Sequence, residues 1–343
     1  MAAKKMWYES VNLVVLGSIL LCELLTTATG QTTSCRCTPV TNCADGTGGI
    51  DPRILNNPTQ PVCAVGERLC CNLINPNLGV SVPVLCGTRR AITVPNYVAV
   101  TGQADFGEYP WLALIYSSNN TYIGAGTLID TQFVLSVAHK FVPALYSSYK
   151  VVLGEWILNA VSEPLPLLEI AVTSIRVHEG FIYTPATATL LNDIAILKLA
   201  TPVNVGLSNH INPACLPIPN AIYTGQTCWV AGFGASAFVN GAMSTTLREV
   251  DLPVVDGNTC QNLLRTTRLG SAFTLNQQQF ICAGGQAGKD ACTGDGGAPL
   301  VCLSGTQWYV AALVAYGVGC GQPIPAVYTN VANYIPWISA NKI

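Results

Sequence analysis

The stretch Gly294-Asp295-Gly296-Gly297-Ala298-Pro299-Leu300-Val301-Cys302 runs from a glycine-rich loop into a short apolar segment that ends in cysteine. Two upstream stretches stand with it: Leu135-Ser136-Val137-Ala138-His139, which ends in histidine, and Asn192-Asp193-Ile194-Ala195-Ile196-Leu197, which carries an acid at its start. Around them, β-rich runs alternate with turn signals at 111–116, 127–136, 150–156, 168–177, 194–199, 228–232, 308–316 and 327–331. That spacing predicts an all-β sandwich or barrel over residues 99–343, and only 332–343 reads as helical. The chain has no GxGxxG, P-loop or HExxH motif. Its three histidines are too few for a histidine-rich metal centre, so no metal and no cofactor are expected.

Charged residues make up 10 % of the 343 residues, well under the ~25 % of an average soluble domain. Sixteen basic against eighteen acidic side chains leave a net charge of −2, so no basic surplus exists to neutralise phosphates, which argues against nucleic-acid partners. Half of the residues are hydrophobic, which argues against disorder. Lys4 and Lys5, the apolar run 11–25 and the small triplet Ala28-Thr29-Gly30 read as a secretory leader over residues 1–30. Glu23 interrupts the run and disfavours a membrane anchor. The rest is expected to be extracellular, with no membrane span.

Without Cys22, fourteen of the fifteen cysteines remain, an even number suited to disulfides in an oxidising compartment. Cys35, Cys37, Cys43, Cys63, Cys70 and Cys71 crowd residues 31–75, a segment too small and polar to hold a core without disulfide staples. The adjacent Cys70-Cys71 and the absence of histidine before His139 disfavour zinc there. Residues 76–98, rich in Pro, Asn and Val around Cys86 and the dibasic Arg89-Arg90, read as an extended linker.

The three motifs follow the order histidine, aspartate, glycine-rich loop. With Pro110-Trp111, Thr227-Cys228-Trp229-Val230-Ala231-Gly232 and Pro325-Ala326-Val327-Tyr328, they resemble the chymotrypsin-like serine proteases. The segment from Cys35-Arg36-Cys37-Thr38-Pro39 to Cys70-Cys71 resembles an arthropod clip domain. The resemblance implies a double six-stranded β-barrel with a C-terminal helix over 99–343, preceded by a clip domain over 31–75. It sets His139, Asp193 and Gly296 where the chemistry needs an imidazole base, a carboxylate that fixes its tautomer and a hydroxyl nucleophile. Glycine cannot attack a carbonyl, so no acyl-enzyme can form. Loss of such a nucleophile lowers turnover by a factor on the order of 10⁶. Thr293, the nearest hydroxyl in sequence, lies on the far side of Asp295 and is not expected to replace it.

By the same resemblance Asp290 lies at the base of a specificity pocket, and Ala326, in place of a wall glycine, narrows it. Ala315 replaces a serine beside the triad, and Gly124 and Lys140 stand where two cysteines would close a disulfide beside the histidine. An activating amino terminus would fall near Val98, after Tyr97, where no trypsin-like cut can occur. Asp295 is therefore expected to keep a zymogen-like partner or to face water. His139 and Asp193 are expected to persist as a hydrogen-bonded pair, and His178 and His210 as loop residues. Asn119-Asn120-Thr121 offers a glycosylation site at Asn119. The implied disulfides are Cys35–Cys70, Cys37–Cys63, Cys43–Cys71, Cys86–Cys215, Cys228–Cys302, Cys260–Cys282 and Cys292–Cys320.

The implied function is that of a secreted, non-catalytic protease homologue of arthropod haemolymph. Such a protein would bind cascade proteases, prophenoloxidase or other protease homologues and assist prophenoloxidase activation and melanisation. Adhesion to microbial surfaces and an active trypsin-like endopeptidase are the alternatives. Cleavage after Arg90 in an exposed linker, followed by oligomerisation, is the expected control, with Arg53 and Arg68 as other basic positions for it.

Overall fold

Short runs of aliphatic and β-branched residues bounded by Gly, Asn, Pro and Ser can satisfy their backbone N–H and C=O groups only by pairing with one another. The computed structural model describes residues 35–39, 67–71, 85–89, 91–95, 97, 98, 100–158, 160, 163–184, 189–205, 210–238 and 240–342. The chain divides into two units, 1–82 and 83–343. In the first, β1 (Cys35–Pro39) pairs antiparallel with β2 (Glu67–Cys71), Cys35 opposite Cys71. The expected leader, the side chains of the six cysteines of residues 31–75, and the side chains of Arg53, Arg68 and Arg90 lie outside the described residues.

In the second unit, β3 (Leu112–Ser117), β4 (Tyr122–Leu128), β5 (Phe133–Ser136), β6 (Tyr149–Leu153) and β7 (Leu168–Val177) form the first barrel. A hairpin, β8 (Ile182–Thr184) and β9 (Thr189–Leu191), leads to β10 (Ala195–Leu199), which closes that barrel in the order β10, β5, β4, β3, β6, β7. The second barrel consists of β11 (Thr227–Gly232), β12 (Arg248–Val255), β13 (Phe280–Gly284), β14 (Pro299–Ser304), β15 (Gln307–Tyr316) and β16 (Pro325–Asn330). Its order is β11, β12, β13, β16, β15, β14. Closure removes the exposed edges that an open sheet would present. The chain ends in a 3₁₀ turn (Val331–Tyr334) and the helix Ile335–Asn341. Among the described residues no helix is long and apolar enough to cross a membrane.

The expected strand at 127–136 is two strands, because Asp130 Oδ1 accepts from Gln132 N at 2.9 Å and Phe133 N at 3.0 Å and turns the chain between them. A helix that periodicity did not reveal, Gly257–Arg265, starts at Asp256, whose side chain accepts from Asn258 N and Thr259 N. It buries only Cys260 and Leu264, one turn apart, so its apolar stripe is too narrow to read.

The segment 85–98, read as part of an extended linker, packs on the barrel pair. Gly87 N donates to Pro213 O at 2.7 Å, Trp308 N to Gly87 O at 2.8 Å and Ile92 N to Phe106 O at 2.8 Å, while Cys86 is bonded to Cys215. The expectation that Arg89 is exposed is corrected. Its guanidinium lies 3.7 Å from the Trp308 ring centroid and 4.1 Å from that of Tyr109, pairs with Glu108 at 3.0 Å, and leaves the side chain 17 % exposed. A planar, weakly hydrated guanidinium stacks on aromatic faces in a way that an extended-linker reading does not foresee.

Candidate functional site

Val137 is extended at the end of β5, and the chain turns at once into a single 3₁₀ turn, Ala138–Lys140, that presents His139 and Lys140 side by side. Asp193 approaches from the short connection between β9 and β10. Asn192 takes a left-handed φ of 50°, which Asn tolerates better than most residues. It is held by Gln279, which accepts from Asn192 N at 2.9 Å and donates to Asn192 Oδ1 at 3.0 Å. Asp193 is buried; its Oδ1 accepts from His139 N at 2.8 Å and its Oδ2 meets His139 Nδ1 at 2.7 Å. With Nδ1 donating to the carboxylate, Nε2 is left as the free ring nitrogen. Thr329 Oγ1 from β16 donates to Asp193 O at 2.9 Å, tying the pair to the second barrel.

The loop 294–297 meets this pair across the seam. Ala125 N of β4 donates to Gly296 O at 3.0 Å, and Tyr122 Oη donates to Gly294 O at 2.8 Å. Gly297, at a φ of 89°, lies so close to Ala125 O and Ser136 Oγ that no side chain fits there.

A Cβ at Gly296 would stand 2.7 Å from Lys140 Cε, 3.0 Å from Lys140 Nζ and 3.7 Å from His139 Nε2. The lysine stem also crosses Gly124, where a Cβ would meet Lys140 Cε at 3.1 Å. Residues 124, 140 and 296 are therefore neighbours. Two glycines leave the space, and one lysine takes it. Sequence reasoning treated Lys140 only as a replaced cysteine; the available signal was a long side chain placed directly after His139, which must go somewhere. Burial pushes the Lys140 amine below the usual lysine range, and Asp193 and Asp295 pull it back.

Asp295 is 8 % exposed and accepts from Gly234 N at 2.8 Å and Cys292 N at 2.9 Å. These main-chain donors stand in place of the expected zymogen-like partner or water. Burial raises its pKa, opposed by the two donors and by Lys140. It borders a cavity of about 980 Å³ lined also by Gln103, Gly234, Met243 and Cys292. Asp290 accepts from Gly321 N at 3.1 Å through Oδ2, whereas its buried Oδ1 has no hydrogen-bond partner. Burial pushes its pKa up to about 6. Ala326 is 5 % exposed, with its Cβ 3.7 Å from where a side chain on Gly317 would begin, and Ala315 is a buried apolar neighbour of the seam.

Four disulfides close among the described residues: Cys86–Cys215, Cys228–Cys302, Cys260–Cys282 and Cys292–Cys320. His178 accepts from Gly180 N at 3.0 Å and packs on Trp337, and His210 Nε2 donates to Pro166 O at 3.0 Å. Neither joins the His139 site. Asn119 is exposed in the turn between β3 and β4. Among the described residues no group of three or more His, Cys, Asp and Glu could hold a metal ion.

Two closed six-stranded barrels with a His–Asp pair and a glycine-rich loop on their seam define the trypsin fold. Residues 99–338 match the trypsin family model. The chain is 42 % identical over 334 residues, 92 % of this chain and 68 % of the relative, to inactive CLIP domain-containing serine protease A3 of Aedes aegypti. It is 37 % identical over 255 residues, 69 % and 81 % of the two chains, to phenoloxidase-activating factor 2 of Galleria mellonella. It is 31 % identical over 366 residues, 98 % and 99 % of the two chains, to phenoloxidase-activating factor 3 of Holotrichia diomphalia. The chain belongs to the trypsin family, as a clip-domain serine protease homologue.

Proposed function

We propose that this chain is a secreted, catalytically inactive protease homologue that acts by binding, as a cofactor of prophenoloxidase activation in an innate immune protease cascade. The observation that carries the reading is the site itself. His139 and Asp193 keep the geometry of an acid–base pair, but the position facing Nε2 holds a glycine backbone and the stem of Lys140. No hydroxyl is there to attack a carbonyl, and the space a serine would need is filled. Two of the similar proteins carry the name phenoloxidase-activating factor, which supports cascade proteases, prophenoloxidase and other protease homologues as partners. Cleavage after Arg90 would leave the upstream piece attached through Cys86–Cys215.

The test is reconstitution. Purified chain, treated with the upstream cascade protease, should fail to hydrolyse Arg or Lys esters and fail to react with a fluorophosphonate probe. It should nevertheless raise phenoloxidase activity when added to prophenoloxidase and its activating protease. Ester turnover, or equal phenoloxidase activity with and without the chain, would overturn the proposal.

A further inference from the structure

Lys140 differs from the other described lysines. Lys150, Lys289 and Lys342 each hold a carboxylate, those of Glu169, Asp251 and Asp130, and Lys198 lies over the Phe133 ring. Among the described residues no carboxylate forms an ion pair with Lys140, and its half-buried stem packs against two glycines. Its Nζ and His139 Nε2 both border the point where a Gly296 Cβ would sit, at 3.0 and 3.7 Å. A half-buried amine with no ion-paired carboxylate, beside an imidazole whose other nitrogen is fixed by a carboxylate, is an arrangement in which a lysine can act as a nucleophile.

We propose that the site of the missing serine is a carbonyl-binding site, in which Lys140 forms an imine with small, neutral aldehydes. The lone pair of Nζ adds to the carbonyl carbon while the C=O π pair moves to oxygen. His139 Nε2 takes the proton released from nitrogen and returns it to that oxygen, giving a carbinolamine. Protonation of its hydroxyl expels one water, the C=N bond forms, and the remaining N–H proton leaves. One aldehyde is bound and one water released, with no change in oxidation state. Neutral ligands are specified because Asp193 and Asp295 act on the amine and disfavour an added anion. The lowered pKa of Lys140 supports this geometry by raising the share of free amine. The inference does not depend on the cascade role proposed above.

The test uses the full chain at pH 7 with benzaldehyde and cyanoborohydride, which reduces the imine to a stable benzylamine located by peptide mass mapping. Lys140 should be benzylated faster than Lys198 by a factor on the order of ten, and benzaldehyde should label it faster than the anionic 4-formylbenzoate. Gly296→Ala puts a methyl against Cε and should slow labelling at Lys140 while leaving Lys198 unchanged. His139→Gln should slow the initial rate without changing the final extent. Labelling of Lys140 no faster than Lys198 would overturn the proposal, as would equal rates with the two aldehydes, which needs no variant to fold.

Discussion

The first barrel contains no cysteine from 112 to 199, and its interior is filled by large aliphatic side chains that are fully buried, among them Leu114, Ile115, Leu128, Leu135, Leu153, Ile196 and Leu197. The second barrel buries Leu252, Leu300, Leu313 and Tyr328 but also more small residues than the first, among them Ala283, Ala311, Ala312 and Ala326, and carries Cys228–Cys302, Cys260–Cys282 and Cys292–Cys320. Each large aliphatic side chain buried stabilises by about 1.5–3 kcal/mol, so the first barrel can stand on packing without a cysteine among its strands. Alanines contribute less, and the long loops of the second barrel are restrained covalently. Lys140, which follows His139 in the first barrel, crosses the seam to Gly296, in the loop that leads into the second.

The largest effect expected from this contrast is on the cross-linked side. Replacing Cys228 and Cys302 together by alanine should lower unfolding stability by about 4 kcal/mol, since the bond spans 74 residues and the entropic gain grows with loop length. Urea denaturation measures it. A loss below about 1 kcal/mol would show that the second barrel also stands on packing.

An intermediate effect is expected at the seam. Gly296→Ser should destabilise by about 1–3 kcal/mol, because its Cβ meets the Lys140 stem, and should yield no ester turnover. Adding Lys140→Ala should recover at least about 1 kcal/mol, a coupling that a double-mutant cycle reads directly. Additive losses would show that the two positions are independent.

The smallest effect concerns Asp290. Its folded pKa of about 6 lies above the ordinary ~3.9 of aspartate, so the native state holds the proton more tightly than the unfolded chain. The stability this contributes is fully present below pH ~4 and is lost as pH rises through about 6. Asp290→Asn should flatten the pH dependence of unfolding stability between these values, a change of under about 1 kcal/mol after solvent screening, read from thermal melts across pH. An unchanged pH profile would place the titration elsewhere, with Glu155, pushed up to about 7 by burial and Glu163, as the next group to test.

Strand and motif positions were legible wherever one local rule decided them. The run 168–177 is β7 residue for residue, and His139 and Asp193 stand in contact as a pair. Arg89 was misread because Tyr109 and Trp308, which enclose it, lie far along the chain. The helix Gly257–Arg265 was missed because two buried positions make too weak a pattern.

The sequence by itself determined the β class, the family and the absence of a hydroxyl at position 296, since each follows from residue identity and short-range spacing. Only the tertiary structure decided what fills that absence. Gly124, Lys140 and Gly296 come from a strand, a 3₁₀ turn and a loop on two barrels, and nothing local links them. Packing brings them within van der Waals reach, where one lysine fills the space because both glycines lack a Cβ.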